Sequence, residues 1–155
     1  MIRYIFILLP LALITGCKNT STSSIAIQTA ETQDTLSVTP DPADQKFEDF
    51  IEKFSADSTF QLSRTKFPLK VTWYDHDTDR DSLFFINKPD FQMVDLRKKK
   101  SSGEFDQWEA STVLSNNKTS ATIEILGIDN GIMVFYHFEK INGAWMLVDV
   151  EDAST

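Results

Sequence analysis

The sequence predicts an α+β fold in which an N-terminal helix or helical hairpin packs on a curved antiparallel sheet. Apolar residues near position 50 recur with the period of a helix, whereas those after position 68 alternate with polar residues as in strands. Residues that favour tight turns separate the alternating runs in the second half of the chain. Because the helical pattern comes first and the strand patterns follow, we expect one helical layer against one sheet.

The first helix is predicted to begin at Asp41 and to end near Asp57. Asp41 is a residue type that caps helices, and Pro42 suits the first helical position because its missing N–H is not needed there. One apolar stripe follows at the spacing i, i+3, i+4 and i+7, and it consists of Phe47, Phe50, Ile51 and Phe54. A second short helical turn fits residues 58–66, before the Phe-Pro pair at 67–68 ends it.

Strands are predicted from Leu69 onward. Alternation with polar residues is shown by Leu69, Val71 and Trp73, and residues 83–86 form a second apolar run. Four longer strands are predicted over residues 107–114, 120–128, 132–140 and 144–150. The turns between these strands contain residues that tolerate a positive φ angle, namely Asn116-Asn117, Asp129-Asn130-Gly131 and Asn142-Gly143. Residues 91–100 fit either a short helix or a strand.

The N-terminus carries the pattern of an export signal. Arg3 is followed by an uncharged apolar run that is too short to cross a bilayer comfortably, and small residues precede Cys17. Residues 14–17, Ile-Thr-Gly-Cys, resemble a bacterial lipobox, which implies cleavage after Gly16 and lipid attachment to Cys17. An ordinary secretory signal with a chance cysteine is the alternative. Because Cys17 is the only cysteine, no intramolecular disulfide can form.

Three parts of the chain are predicted. Residues 1–16 form the lipoprotein signal peptide, residues 17–40 a flexible tether rich in Ser and Thr, and residues 41–155 a single α+β domain. Cys17 is not followed by the acidic run that resembles a surface-export tag, which favours a lipid anchor in the outer membrane, facing the periplasm. The formal net charge of −8 repels phosphate backbones, so nucleic acid is not an expected partner.

Two segments resemble a family of uncharacterised lipoproteins from the Bacteroides group. They are residues 61–69, QLSRTKFPL, and residues 137–147, HFEKINGAWML. The resemblance covers most of residues 44–150 and implies the cone fold of nuclear transport factor 2, which the ketosteroid isomerase and scytalone dehydratase types share. Since that fold hosts enzymes, small-molecule binders and interaction modules, the resemblance implies no particular function.

An acidic loop, YDHDTDRDS at residues 74–82, has an acidic residue at every second position. A calcium loop of the EF-hand type needs glycine at position 6 and glutamate at position 12, but a loop starting at Asp75 has Arg80 and Ile86 there. A looser cation site is the alternative to a solvated turn. The sequence contains no zinc motif, phosphate-binding glycine loop or nucleophile elbow, so neither a metal nor a cofactor is expected.

Four residues are candidates for a pocket on the concave face of the sheet: Tyr74, Tyr136, His137 and Trp145. Tyr136 and His137 are adjacent on one strand and must face opposite sides, so only one of them can line the pocket. Asp75 and His76 complete the set available for an isomerase-like or dehydratase-like proton transfer, although a half-buried structural role fits His137 better. No residue is assigned a catalytic role.

Two further patterns concern the surface and the last strand. The basic cluster Arg97–Lys100 is expected to be a solvated loop, with binding of an anionic glycan or lipid headgroup as the alternative. The strand at 144–150 is apolar on both faces, so it is expected to be covered twice or to line a cavity.

These patterns favour a membrane-anchored binding or interaction module. We expect the concave sheet to hold a small molecule or a partner segment between the Phe47 helix and the sheet. The competing hypothesis is a proton-transfer enzyme that uses the same cavity. A third class, a structural envelope protein, predicts a cavity that is filled by its own phenylalanines.

Overall fold

The computed structural model describes residues 38–101 and 105–155 of the chain. Residues Leu36–Thr155 form one compact unit, which contains the hydrophobic core of the described residues. The predicted signal peptide, the lipidation site Cys17 and nearly all of the tether lie outside the described ranges. Within those ranges, no helix is both long enough and apolar enough to cross a membrane.

Three short helical elements come first: a 3-10 helix over Pro42–Gln45, helix α1 over Phe47–Ala56 and helix α2 over Ser58–Ser63. Asp41 caps the 3-10 helix, as predicted, because its side chain accepts a hydrogen bond from the Ala43 N–H. The helix is not continuous from Asp41, however, since Lys46 has an extended backbone and α1 begins after it. Asp57 caps α2 in the same way, and the expected helical pair is confirmed.

The strands are β1 (Thr65–Asp75), β2 (Arg80–Ile86), β3 (Trp108–Leu114), β4 (Ser120–Gly127), β5 (Met133–Ile141) and β6 (Ala144–Asp152). They form one six-stranded sheet in the order β2-β1-β6-β5-β4-β3. The predicted C-terminal meander is confirmed as antiparallel. One pairing differs from the expected antiparallel sheet, because β1 and β6 run parallel. Hairpin turns define only strands that are neighbours in sequence, so they do not predict this long-range pairing.

The turns follow the predicted residues in two of three cases. Positive φ angles occur at Asp129 (55°) in the turn between β4 and β5, and at Asn142 and Gly143 (53° and 85°) between β5 and β6. Between β3 and β4, the positive φ angle falls on Lys118 (55°) instead of on Asn116 or Asn117.

The segment 91–100 forms neither a helix nor a regular strand. The buried side chain of Gln61 holds it, since this amide donates to the Val94 carbonyl and accepts from the Val94 N–H, both at 2.9 Å. The Ser55 hydroxyl accepts a further hydrogen bond from the Leu96 N–H at 3.0 Å. Side chains of α1 and α2 therefore satisfy backbone groups that a helix or strand would otherwise satisfy.

Aromatic rings fill the space between α1 and the concave face of the sheet. The rings of Phe47, Phe50 and Phe54 lie 5.3 to 5.8 Å from that of Phe138 on β5, nearly perpendicular to it. Trp145 on β6 packs edge-on against Phe47 at 5.0 Å. The apolar stripe predicted from the sequence is thus confirmed as the face of α1 that covers the sheet.

A buried ion pair joins the helical elements to the sheet. The Asp44 carboxylate accepts hydrogen bonds from the Arg64 guanidinium at 3.0 Å and from the Trp145 backbone N–H at 2.8 Å. The two side chains are only 3% and 4% exposed. The Arg64 carbonyl also accepts from the Leu147 N–H at 2.8 Å. Two residues thus connect the 3-10 helix, the end of α2 and the start of β6.

We expect Asp44→Asn to lower the free energy of unfolding by about 3–5 kcal/mol, because it leaves the Arg64 charge buried without a counter-charge. Urea denaturation of the unit Leu36–Thr155 measures this change. The matched control is Lys70→Met, which breaks the exposed pair with Asp149 and should cost no more than about 1 kcal/mol. Equal effects of the two substitutions would contradict the structural role of the buried pair.

Candidate functional site

A cavity of about 320 Å³ opens on the concave face beside the aromatic core. Its lining residues are Leu69, Val71, Ile86, Asp90, Phe91, Gln92, Val94, Tyr136, Leu147 and Val150. The walls are mostly apolar, and Asp90, Gln92 and Tyr136 are the polar exceptions. We expected a cavity between α1 and the sheet, but phenylalanines fill that space. The cavity instead lies where the segment after β2 covers the sheet.

A β-bulge in β6 determines which side chains enter the cavity. The register between β5 and β6 shifts by one residue, and Val148 is the extra residue. Leu147 and Val150 therefore face the same side of the sheet although they are three residues apart. Val150 lies opposite Tyr136 on β5 and Val71 on β1. These three side chains consequently meet at the centre of the concave wall.

Tyr136 supplies a hydroxyl group to this apolar wall. Burial raises the pKa of Tyr136 above its ordinary value, and the nearby negative charge of Asp152 raises it further. The phenol therefore stays protonated at neutral pH, where it can donate a hydrogen bond to a ligand. It is poorly suited to act as a base at that pH.

The rim of the cavity is the segment that follows β2. A 3-10 turn over Lys88–Asp90 leads into it, and the Phe91 ring packs edge-on against Phe67 at 5.5 Å. Asp90 and Gln92 are exposed to solvent. This wall is held by the aromatic contact and by the buried glutamine of α2, without any strand pairing.

His137 lies on the convex face, opposite to the cavity. Its Nδ1 atom is 3.1 Å from the Thr122 hydroxyl, and its Nε2 atom is 3.8 Å from the Glu151 carboxylate. Its ring stacks on Phe135 with centroids 6.4 Å apart. The structure therefore places Tyr136 inside the cone and its neighbour His137 outside.

Trp145 and Tyr74 also lie away from the cavity. Trp145 is 2% exposed and belongs to the aromatic core, where the Lys140 ammonium group is 5.0 Å from its ring. Tyr74 donates a hydrogen bond to the Asp79 carboxylate, which raises the pKa of Tyr74, and it packs edge-on against His76. Of the four candidate residues, only Tyr136 lines the cavity.

The acidic loop between β1 and β2 is a hydrogen-bonded turn. The Asp75 carboxylate accepts from the backbone N–H groups of Asp77 at 2.9 Å and Thr78 at 3.4 Å. Hydrogen bonding with the Thr78 side chain and with these N–H groups lowers the pKa of Asp75. His76 Nε2 lies 3.0 Å from the Ser154 carbonyl. Among residues 38–101 and 105–155, no three His, Cys, Asp or Glu side chains are grouped to hold a metal ion.

The basic cluster Arg97–Lys100 is exposed along its length. Arg97 is already paired, since its guanidinium donates two hydrogen bonds to Asp95 at 2.9 and 2.7 Å. These bonds lower the pKa of Asp95 to about 2. Lys100 lies opposite Glu109 on β3. An acidic residue therefore lies near each end of the cluster, Asp95 near Arg97 and Glu109 near Lys100.

Most of the cavity wall could not be identified from the sequence as a site. Leu69 and Val71 were predicted as strand residues, but their meeting with Val150 depends on the parallel pairing of β1 and β6. One feature of the sequence did point to the cavity: the last strand is apolar on both faces, which predicts that it is covered twice or lines a cavity. Leu147 of that strand lines the cavity, and Met146 on the other face is fully buried.

Three solved structures from Bacteroides species are similar to this chain. An NTF2-like protein from Bacteroides fragilis has 25% identity and a TM-score of 0.54 over 70% of this chain, and this chain spans only 47% of that protein. A cystatin-like protein from Bacteroides caccae has 23% identity and a TM-score of 0.53, with coverage of 68% of this chain and 74% of that protein. A protein from Bacteroides uniformis has 20% identity and a TM-score of 0.52, with coverage of 73% and 77%.

The helices, the curved mixed sheet and these structural neighbours define a nuclear-transport-factor-2-like domain. A family described as a domain of unknown function, DUF4348, matches residues 27–154, and the chain belongs to it. The resemblance of residues 61–69 and 137–147 to an uncharacterised Bacteroides family is thereby confirmed. Among curated proteins, none is similar to this chain.

Proposed function

We propose that the domain binds a small, predominantly apolar molecule in the cavity beside Tyr136. The observation that carries this proposal is an unfilled apolar space of about 320 Å³ next to a core whose phenylalanines are fully packed. A concave apolar site with a few polar groups is the usual form of a small-molecule site. A purely structural domain would be expected to fill this space with its own side chains.

The polar groups restrict the chemistry of the ligand. The protonated Tyr136 hydroxyl favours a ligand with a hydrogen-bond acceptor, such as a carbonyl or hydroxyl oxygen. Asp90 at the rim and Asp152 near the phenol disfavour an anion. The ligand class that fits is therefore a neutral or cationic apolar molecule with one acceptor group.

A proton-transfer enzyme is the less favoured function for this cavity. Such an enzyme needs a buried base or acid whose pKa lies near the working pH. Within the lining, the groups that titrate are Tyr136 and Asp90, and Asp90 is exposed at the rim. The raised pKa of Tyr136 moves this group further from neutral pH.

We also propose that the domain is held at the outer membrane, on its periplasmic side, by lipid on Cys17. The support is the lipobox-like Ile-Thr-Gly-Cys at residues 14–17 and the absence of any second cysteine from the sequence. A tether of about twenty residues would place the binding domain on the order of 25 to 30 Å from the bilayer. The domain would then bind molecules that are present in the periplasm.

Binding is tested with N-phenyl-1-naphthylamine, a neutral dye whose fluorescence rises in apolar surroundings. We expect saturable binding to the unit Leu36–Thr155, and we expect Val150→Trp to weaken it by about tenfold or more because the larger side chain fills the cavity. The matched control is Val113→Trp on β3, which is 52% exposed and remote from the lining. Binding that Val150→Trp leaves unchanged would contradict the proposal.

The role of the Tyr136 hydroxyl has a separate readout in the same assay. Displacement of the dye by 2-acetylnaphthalene, whose carbonyl accepts a hydrogen bond, should be about fivefold weaker for Tyr136→Phe. Affinity for the dye itself should change little.

The anchor is tested by expressing the full chain in a Gram-negative host with alkyne-labelled palmitate and separating the membranes by density. We expect the label and the protein together in the outer-membrane fraction, and neither label nor membrane association for Cys17→Ser. An unlabelled chain in the soluble periplasmic fraction would overturn the proposed anchor without affecting the binding proposal.

A further inference from the structure

The concave wall continues beyond the cavity with an exposed tryptophan. Val71 and Val150 line the cavity. Trp73 and Asp152 follow them two residues later on β1 and β6. Because every second residue of a strand shares a face, these two side chains lie on the same side as the lining, about 6.6 Å further along the sheet. Trp73 is 44% exposed, whereas tryptophan side chains are on average highly buried.

Trp73 and Asp152 are neighbours on adjacent strands. The parallel pairing of β1 with β6 places them directly opposite each other, at a strand spacing of about 4.8 Å. Tyr136 lies diagonally across from Asp152, because Val134, two residues before Tyr136 on β5, is the direct partner of Asp152. The negative charge of Asp152 raises the pKa of Tyr136, which agrees with this short separation. An indole ring, a carboxylate and a phenol thus meet at the end of the concave wall that lies away from the aromatic core.

The Asp152 carboxylate is not neutralised by any described basic residue. Within residues 38–101 and 105–155, no lysine or arginine forms an ion pair with it. Its Oδ1 atom accepts a hydrogen bond from the Ser154 N–H at 3.0 Å, which orients the carboxylate. Arg80 faces the same side of the sheet but lies opposite Asp75, one row beyond Trp73. The half-exposed Asp152 therefore keeps a negative charge that a ligand can reach.

We propose that Trp73 and Asp152 form a subsite for an alkylated ammonium group, so that the ligand of the cavity is a cationic amphiphile. This inference rests on the proposed function, since the apolar body of the ligand occupies the cavity beside Tyr136. The ammonium group then lies one row further along the sheet, against the Trp73 ring and beside the carboxylate. An aromatic ring attracts a cation through its quadrupole, and the alkyl groups of the cation bury apolar surface against the ring.

The carboxylate disfavours other groups at this position. A neutral group placed over Asp152 would remove water from the charge without replacing its interactions. An anionic group would be repelled by Asp152 and by the formal net charge of −8. An alkylated ammonium group meets both conditions, because its charge pairs with the carboxylate and its alkyl groups contact Trp73.

The subsite is tested with two competitors of the same shape and different charge, in displacement of N-phenyl-1-naphthylamine from the unit Leu36–Thr155. They are (2-naphthylmethyl)trimethylammonium and 2-(2,2-dimethylpropyl)naphthalene, in which carbon replaces the charged nitrogen. The charge preference is the affinity for the cation divided by the affinity for the neutral compound. We expect it to fall by about tenfold in Asp152→Asn and by about threefold in Trp73→Leu, while affinity for the neutral compound changes little.

The matched control is Glu151→Gln, which removes the same charge from the preceding residue of β6, on the convex face. It should leave the charge preference unchanged. An equal fall in Glu151→Gln and Asp152→Asn would show a long-range effect of net charge and would overturn the subsite. Dye binding with a charge preference that neither Asp152→Asn nor Trp73→Leu alters would also overturn it, but would leave the proposed cavity intact. Absence of saturable dye binding would contradict the proposed function itself, and the subsite with it.

Discussion

The buried pair of Asp44 and Arg64 is the constraint on which the remainder of this domain depends. A charge in an apolar interior is costly unless it is paired and hydrogen-bonded, and here the Arg64 guanidinium is paired with the Asp44 carboxylate through its Nη2 atom. Their additional hydrogen bonds to the backbone of Trp145 and Leu147 fix the start of β6 against the helical elements. The same contacts hold the stripe of α1 over the sheet, where Phe138 completes the aromatic core.

That arrangement divides the concave face into a filled part and an open part. Phenylalanines of α1 occupy the part near Trp145, whereas α1 does not contribute to the lining around Tyr136. The open part is walled by β-strand residues and by a segment that the buried Gln61 holds in place. The lining thus contains none of the α1 phenylalanines, although Leu69, Val71 and Leu147 belong both to it and to the hydrophobic core.

Local patterns predicted the parts of the fold that depend on neighbouring residues. The stripe at 47–54, the meander and two of the three turns follow from helical spacing, alternation and positive-φ residues. The parallel pairing of β1 with β6 and the bulge at Val148 arise from contacts between distant residues. The cavity depends on both of these long-range features. Local patterns therefore could not distinguish Tyr136, which lines the cavity, from Trp145, which packs in the aromatic core. The backbone conformation of residues 91–96 could not be predicted from local patterns either, because hydrogen bonds from distant side chains determine it.

The most direct test of the central claim is a crystal structure of the unit Leu36–Thr155 under xenon pressure, since xenon enters apolar cavities that are otherwise empty. We predict a xenon atom in contact with Ile86, Tyr136 and Val150, and none among the phenylalanines of α1. A cavity that is closed by its own side chains, with no xenon beside Tyr136, would contradict the claim that this end of the cone is open to a ligand.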